Sequence, residues 1–390
     1  MKKLFVIASR VPFPLDKGDK LRLYHQLTEL HKKYEIHLCV LDDAKTEAKA
    51  LEELKSLCSV LEVHSLPKWK VYLNLLRGLI GTKPFQVYYF YQRGVHRKIK
   101  KSIANFQPDY IYCQLIRSAE YVKNEHQIPK TIDYMDAFSK GIERRIDTAG
   151  LKKKLFQSEY KRLVKYENLT FDYFEHHTII SNEDKKCIMH ESRDVIKIVQ
   201  NGIDTDYFTS VSKPKKYDLL FVGNMSYAPN VDSVVYFVNK ILPLLIAKKK
   251  DITFYIAGAN PLPEVLQLAG ENVIISGWIE DIRDAYNEST VFVAAMNIGT
   301  GLQNKLLEAM AMELPCVTSQ LANKALGAKE GQQILISKNE KEYVDHITQL
   351  LSSDDVRKEL GVAGRCYVKE NFSWKHSSDQ LSQIIESSTK

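Results

Sequence analysis

Val291-Phe292-Val293-Ala294, then Asn297-Ile298-Gly299-Thr300-Gly301-Leu302-Gln303-Asn304-Lys305-Leu306-Leu307-Glu308-Ala309-Met310-Ala311, is the stretch on which the fold is decided. The first four residues read as a strand with both faces buried, because the run is apolar without alternation. A glycine-spaced loop follows, and apolar residues at helical spacing begin near Gly301. Strand, glycine loop and helix in that order are the unit of a parallel α/β sheet. A helix start presents unpaired N–H groups and the positive end of a dipole, a setting that binds anions. Glycines let a diphosphate come close to the backbone. Lys305 adds a full positive charge in the first turn, and Glu308 can accept hydrogen bonds from sugar hydroxyls. On spacing alone, a glycine-rich turn with a surface Lys–Glu pair explains the same pattern.

The same alternation runs outward in both directions. Apolar strand candidates are Leu4–Ala8, Ile36–Val40, Tyr110–Cys113, Thr131–Asp133, His177–Ile180 and Ile196–Val199, then Leu219–Val222, Thr253–Ala257, Val273–Ile275, Cys316–Thr318 and Ile334–Ile336. Helical patterns such as Lys20–His31, Val231–Ala247 and Leu302–Met312 separate them. This predicts α/β architecture with two Rossmann-like, doubly wound parallel-sheet domains. The Asn201-Gly202 turn, with polar Ser210–Lys216 after it, marks the junction. The expected domains are residues 1–204, residues 205–371, and a closing helical segment 372–390 that packs back across the domain interface.

The chain has 390 residues, 44% of them hydrophobic and 26% charged, with 17 Gly and 12 Pro, which excludes disordered, collagen-like and small disulfide-stapled classes. The net charge of +7 hides an asymmetry: residues 1–200 carry 36 basic and 25 acidic side chains, residues 201–390 carry 19 and 23. The first half is therefore expected to meet something anionic. Six scattered cysteines without a C-x-x-C pair point to reduced thiols in a cytosolic protein and against zinc. The apolar run after Lys2-Lys3 is too short for a signal sequence, and no run spans a membrane.

Gly301–Ala311 followed by Leu314-Pro315-Cys316-Val317 resembles the donor-binding signature of retaining family-4 glycosyltransferases of GT-B fold, most of all bacterial sugar transferases of cell-surface polysaccharide synthesis. Arg10 through Gly18-Asp19, Asp133-Tyr134-Met135-Asp136, Asn201–Asp204, Gly223-Asn224 through Asn230, Ile256-Ala257-Gly258, and Gly277-Trp278-Ile279 through Asp281 match in the same order. The resemblance implies two domains facing across a cleft, with the acceptor held by the first and the nucleotide sugar by the second. It places Gly223, Asn224, Gly258, Trp278, Ile279, Gly299, Thr300, Gly301, Leu302, Gln303, Asn304, Lys305 and Glu308 at the donor, with Lys305, Glu308 and Asp136 catalytic. Gly18, Asp19, Arg22 and Arg117 are assigned to the acceptor cleft. Two departures stand out. Relatives often carry a glutamate where Thr300 stands, and Arg and Lys after the glycine of Gly223-Asn224-Met225-Ser226. Diphosphate charge then falls to Lys305, the helix start and cations such as Arg10, Lys17, Arg22 and Arg117.

No positioned pair of carboxylates suggests a covalent intermediate, so front-face transfer with electrostatic stabilisation of the leaving diphosphate is expected. The donor is expected to be a UDP- or GDP-sugar, the acceptor a glycan or lipid-linked glycan, with no cofactor and no metal. A sugar-nucleotide 2-epimerase of the same fold and a non-catalytic binding or scaffold relative remain as alternatives. Asp204-Thr205-Asp206 has the D-x-D form of a metal–diphosphate site, yet its place beside a turn favours a structural role. Asp19 as a plain helix cap and Asp136 as a plain turn residue are equally open.

Residues 63–108 contain nine Lys/Arg, no Asp or Glu, and the aromatics Trp69, Tyr72, Phe85, Tyr88, Tyr89, Phe90 and Tyr91. A second basic cluster runs from Arg144-Arg145 through Lys152–Lys154 to Lys161-Arg162. Basic side chains interleaved with aromatics suit an anionic membrane surface. A solvated basic face over buried aromatics is the plainer alternative. Nucleic acid is not expected, because no binding motif accompanies the stretch. The expected location is cytoplasmic, peripheral at the inner face of the membrane.

Overall fold

The apolar runs become strands buried on both faces: Leu4, Phe5, Val6, Ile7 and Ala8 are each 0% exposed. In the computed structural model the described residues are 1–15, 17–42, 46, 48–143, 145–146, 150–298 and 302–387. They divide into two units, one comprising Met1–Gly202 with Trp374–Lys390 and the other Ile203–Ser373.

The first unit holds β1 (Lys2–Ala8), β2 (Tyr34–Asp42), β3 (Val60–Ser65), β4 (Tyr110–Gln114), β5 (Lys130–Asp133), β6 (His176–Ile179) and β7 (Lys197–Ile198). They lie in the order β3-β2-β1-β4-β5-β6-β7, parallel throughout. The second unit holds β8 (Tyr217–Val222), β9 (Phe254–Ala257), β10 (Val273–Gly277), β11 (Ser289–Ala294), β12 (Cys316–Ser319) and β13 (Leu335–Ser337). Their order is β10-β9-β8-β11-β12-β13, again all parallel. In each sheet the strand order therefore reverses once, between β1 and β4 and between β8 and β11. At such a point the loops leaving the carboxyl ends diverge and open a crevice for ligands.

Three elements differ from the sequence reading. β3 is an edge strand with half-exposed side chains, too polar to stand out as an apolar run. The helix expected over Val231–Ala247 starts at Ala228, widens to a π turn at Phe237–Ile241 and resumes as Leu242–Ile246. Pro243 cannot donate to the ladder, and a widened turn relieves its ring. The helix expected from near Gly301 begins at Asn304, with Gln303 in extended conformation as its cap.

After the second unit the chain returns to the first. The helix Trp374–Glu386 buries Leu381 and Ile385 in a cluster with Leu4, Val6, Leu38 and Val40. Trp374 stacks on His25 at 4.8 Å and 8°. Within the second unit, the amide of Ile203 donates to the carbonyl of Phe372 at 2.7 Å, tying the entry of the chain to its exit.

Candidate functional site

In the second unit the loop leaving β8, on one side of the β8/β11 crevice, is packed on the loop leaving β9 through glycine. β8 ends in Val222, and a Cβ at Gly223 would stand 2.5 Å from the side-chain nitrogen of Asn230. Gly258, after β9, has φ +142°, and a Cβ there would lie 1.8 Å from the carbonyl oxygen of Gly223. Only glycine lets these two loops touch. Asn224 closes its own turn, its side-chain oxygen accepting from the amide and hydroxyl of Ser226 at 3.0 and 2.9 Å. Its carbonyl accepts from Asn230 Nδ2 at 2.9 Å. Asn230 is thereby fixed with its own carbonyl oxygen turned to Lys305.

Lys305 is the second residue of the helix Asn304–Ala311. Its Nζ donates to Asn230 Oδ1 at 2.8 Å and Gln303 Oε1 at 3.0 Å, and lies 5.3 Å from the ring centre of Phe221. Burial pulls its pKa down to about 8, against the opposing charge of Glu308. One turn on, Glu308 Oε2 accepts from the Tyr286 hydroxyl at 2.7 Å. Burial raises its pKa, while Tyr286 and Lys305 oppose the rise. A cation coordinated by neutral amides, beside a helix start and a hydrogen-bonded carboxylate, is an arrangement for a polyanionic ligand with hydroxyls.

The other expected donor residues stand as follows. Gln303 and Asn304 form the cap and first residue of the helix, and Leu302 packs on the apolar core. Trp278 follows β10 with 71% of its surface exposed, and Ile279 packs on the core. Gly299, Thr300 and Gly301 lie outside the described residues.

In the first unit the corresponding loops leave β1 and β4. Arg10 pairs with Asp19 at 2.7 Å. Asp19 sits in the first turn of the helix Gly18–Leu30, and Lys17 takes the cap position, so Asp19 is not the cap. Gly18 has nothing within 4 Å of an added Cβ, so no crowding requires glycine there. Arg22 differs most from the expectation. It is 0% exposed, donating to Asp133 at 2.7 and 3.3 Å, Asn201 at 2.8 Å and the Val199 carbonyl at 2.9 Å. That makes it an internal tie with no face toward a ligand. Arg117, after β4, donates to Gln86 at 2.9 Å and lies 4.7 Å from the ring centre of Phe138.

Asp136 follows β5, after Met135 at φ +61° and after Asp133, whose carboxylate accepts from the Met135 amide at 3.3 Å. Asp136 is exposed, yet the protein around it pushes its pKa up to about 6, with Asp184 adding repulsion and Arg117 opposing. Its open side lets water screen part of that push. Beneath it, the buried Glu167 accepts from the Ser139 amide at 3.0 Å and is pushed up to about 7, chiefly by burial.

Among the described residues, one trio places ligand atoms within metal-binding reach: Cys39, Glu62 and His64, within 4.8 Å of one another. It sits on the paired strands β2 and β3, not in the loops at the sheet's reversal. Asp204 of the D-x-D turns back on its own chain, accepting from the amides of Asp206 at 3.1 Å and Tyr207 at 2.9 Å. No helix among the described residues is long and apolar enough to cross a membrane.

Three residues of this geometry escaped the sequence reading. Asn230 was visible only as the end of a matching segment, seven positions after Gly223 and in the first turn of the helix Ala228–Tyr236. Tyr286 and Glu167 carried no signal, because each acts through a contact distant in sequence.

Residues 216–353 match the family model described as glycosyl transferases group 1. An uncharacterized 44.6 kDa protein in cps region of Klebsiella pneumoniae is 26% identical over 397 residues, covering 96% of this chain and 97% of that protein. A glycosyltransferase from Rickettsia africae superposes with TM-score 0.62 at 12% identity, over 99% of each chain. Anabaena HepE, solved in complex with UDP-glucose, superposes with TM-score 0.59 at 11% identity, over 100% of each chain. These structural similarities bear on the fold, which is GT-B.

Proposed function

We propose that this glycosyltransferase, whose residues 216–353 form a group 1 glycosyltransferase domain, moves a sugar from a nucleotide donor to a surface-polysaccharide acceptor with retention at the anomeric carbon. The donor is a UDP- or GDP-sugar, bound by the second unit. The acceptor, a glycan carried on a lipid, is bound by the first. The carrying observation is Lys305, a half-buried cation at a helix start whose hydrogen-bond acceptors among the described residues are neutral oxygens, 2.8 and 3.0 Å away. A diphosphate supplies a charged acceptor that the two amides do not. Glu308, oriented by Tyr286, holds hydroxyls of the donor.

In the step proposed, the bond from the anomeric carbon to the diphosphate oxygen lengthens and breaks. The acceptor oxygen forms its bond on the same face, and its proton passes to the departing diphosphate. Lys305 and the helix start stabilise charge as it grows on the leaving group, which is where fixed charge is most effective. No metal or cofactor enters this step. The basic side chains of residues 63–108 support a reading in which the enzyme works against an anionic membrane, at its cytoplasmic face.

Calorimetry against UDP, GDP, UDP-glucose and GDP-mannose tests the donor assignment. Incubation with the sugar that binds, followed by NMR of the product, tests turnover and stereochemistry. An inverted product removes the front-face step. Absence of binding across the panel removes the donor site.

A further inference from the structure

The helix Lys68–Ile80 presents an apolar stripe to solvent. Its buried side is Val71 and Gly78, and a Cβ at Gly78 would meet Tyr88 and Phe85 at 3.0 and 3.1 Å. Arg162 donates to the Gly78 carbonyl at 2.6 Å, which pins the end of the helix. The helix is thus held closely, and its outward face still carries Trp69, Tyr72, Leu73, Leu76, Leu79 and Ile80, at 62, 65, 46, 61, 61 and 92% exposure. Scattered exposed leucines are ordinary, but a contiguous stripe of this size marks a binding surface.

Beside the stripe lies a groove of about 830 Å³, bounded by Tyr72, Leu76, Leu79, Phe85, Leu155 and Phe156. That volume falls in the ~300–1,000 Å³ range of small-molecule sites. Its polar groups are few. Arg117 and Arg145 bring guanidinium charge, with Gln86 and Glu159 beside them. Glu159 is turned to the backbone, accepting from the amides of Phe85 at 2.8 Å and Gln86 at 3.4 Å. Arg117 also belongs to the loop after β4, at the sheet reversal, and its charge acts on Asp136. The groove is therefore lined by an apolar helix face and reaches Arg117 in the loop after β4.

We propose that this groove binds the chain of a single lipid phosphate, with the hydrocarbon along the helix Lys68–Ile80 and the phosphate at Arg117 and Arg145. The occupant is argued from charge: Arg117 and Arg145 are cations in an otherwise mostly apolar lining, and the carboxylate beside them, Glu159, is taken up by two backbone amides. Guanidinium geometry suits phosphate oxygens. This deepens the acceptor assignment above and rests on it.

The test is calorimetry of the full-length protein with dodecyl phosphate below its micellar concentration, with dodecanol and inorganic phosphate as separate arms. Wild type is expected to bind dodecyl phosphate at least tenfold more tightly than either fragment. Leu76→Asp and Leu79→Asp, both on exposed positions, are expected to weaken it at least tenfold with unchanged melting temperature. Arg117→Met is expected to bring the affinity for dodecyl phosphate down to that for dodecanol. Equal binding of inorganic phosphate overturns the proposal. So does binding to 3:1 phosphatidylcholine–phosphatidylglycerol vesicles without binding of the monomeric ligand, which would show a flat membrane face. A dimer that dissociates in Leu76→Asp overturns it too, by showing that a second copy covers the groove. UDP-glucose measured in the same instrument reports on the donor reading alone, so the two fail separately.

Discussion

The ammonium of Lys305 lies 2.8 Å from the amide oxygen of Asn230, and that oxygen is aimed because the amide nitrogen is committed to the Asn224 carbonyl at 2.9 Å. The protein holds a cation in a partly dry place with amide dipoles as its hydrogen-bond acceptors and the charge of Glu308 one turn away. Such preorganisation raises the value of a ligand's charge, because among the described residues no carboxylate hydrogen-bonded to the ammonium must first be displaced. The fold bears the cost of burying that charge, which is where a binding site and a stability optimum part company.

Lys305→Met is therefore expected to lower kcat/KM by about 10²–10³, the range for one lost charge-stabilising contact. Stability should barely change. A pKa moved from 10.5 to about 8 corresponds to a desolvation cost on the order of 3 kcal/mol. Removing the charge recovers part of this, while leaving the Asn230 oxygen unpaired costs about 1–3 kcal/mol. Thermal unfolding beside steady-state rates checks both halves. A variant that melts far below wild type would make Lys305 a structural residue.

The same shift sets a pH limb. With a free-enzyme pKa of about 8, Lys305 is protonated below that pH and loses its charge above it. A plot of log kcat/KM is expected to fall with unit slope above pH 8. For stability the sign is opposite. The unfolded lysine binds its proton up to about 10.5 and the folded one only to about 8, so this group's contribution to stability rises between those values. Lys305→Met should lack both trends. A limb at the same pH in the variant would fix its origin elsewhere.

Two glycines where the loops after β8 and β9 touch should respond differently to alanine. In Gly258→Ala the new Cβ meets the backbone oxygen of Gly223 at 1.8 Å, with φ +142° forbidding easy relief. The expected loss is more than ~2 kcal/mol. In Gly223→Ala the neighbour is the Asn230 side chain at 2.5 Å, which can rotate. That variant should fold, misplace Asn230 and raise the donor KM. Equal urea midpoints for the two would contradict this contrast.

The architecture was largely legible, because strands such as Leu4–Ala8 and Val291–Ala294 are buried on both faces and leave an unbroken apolar record. β3 left none, since an edge strand keeps polar positions. Arg22 shows the limit for site residues. A cation after a glycine loop reads as a ligand contact, and only the fold reveals that Asp133, 111 residues away, has claimed it. Lys305 and Glu308 were recognisable because helix spacing and a matching motif mark them locally. Asn230 and Tyr286 act through tertiary contacts, which no local pattern records.

That internal tie supplies the last expectation. Arg22 and Asp133 are both 0% exposed and joined at 2.7 Å, and the carboxylate also accepts from Tyr112 at 2.9 Å and Thr178 at 3.1 Å. Arg22→Met leaves Asp133 charged in a dry interior and should destabilise by about 3–5 kcal/mol. Arg22→Lys keeps a charge but loses the fork that reaches Asp133, Asn201 and Val199 together, so its loss should be smaller but measurable. Adding Asp133→Asn to Arg22→Met removes the stranded charge and should recover part of the loss. Urea midpoints for the three proteins decide the matter. If the double variant is no more stable than Arg22→Met, the tie acts by packing and not by charge.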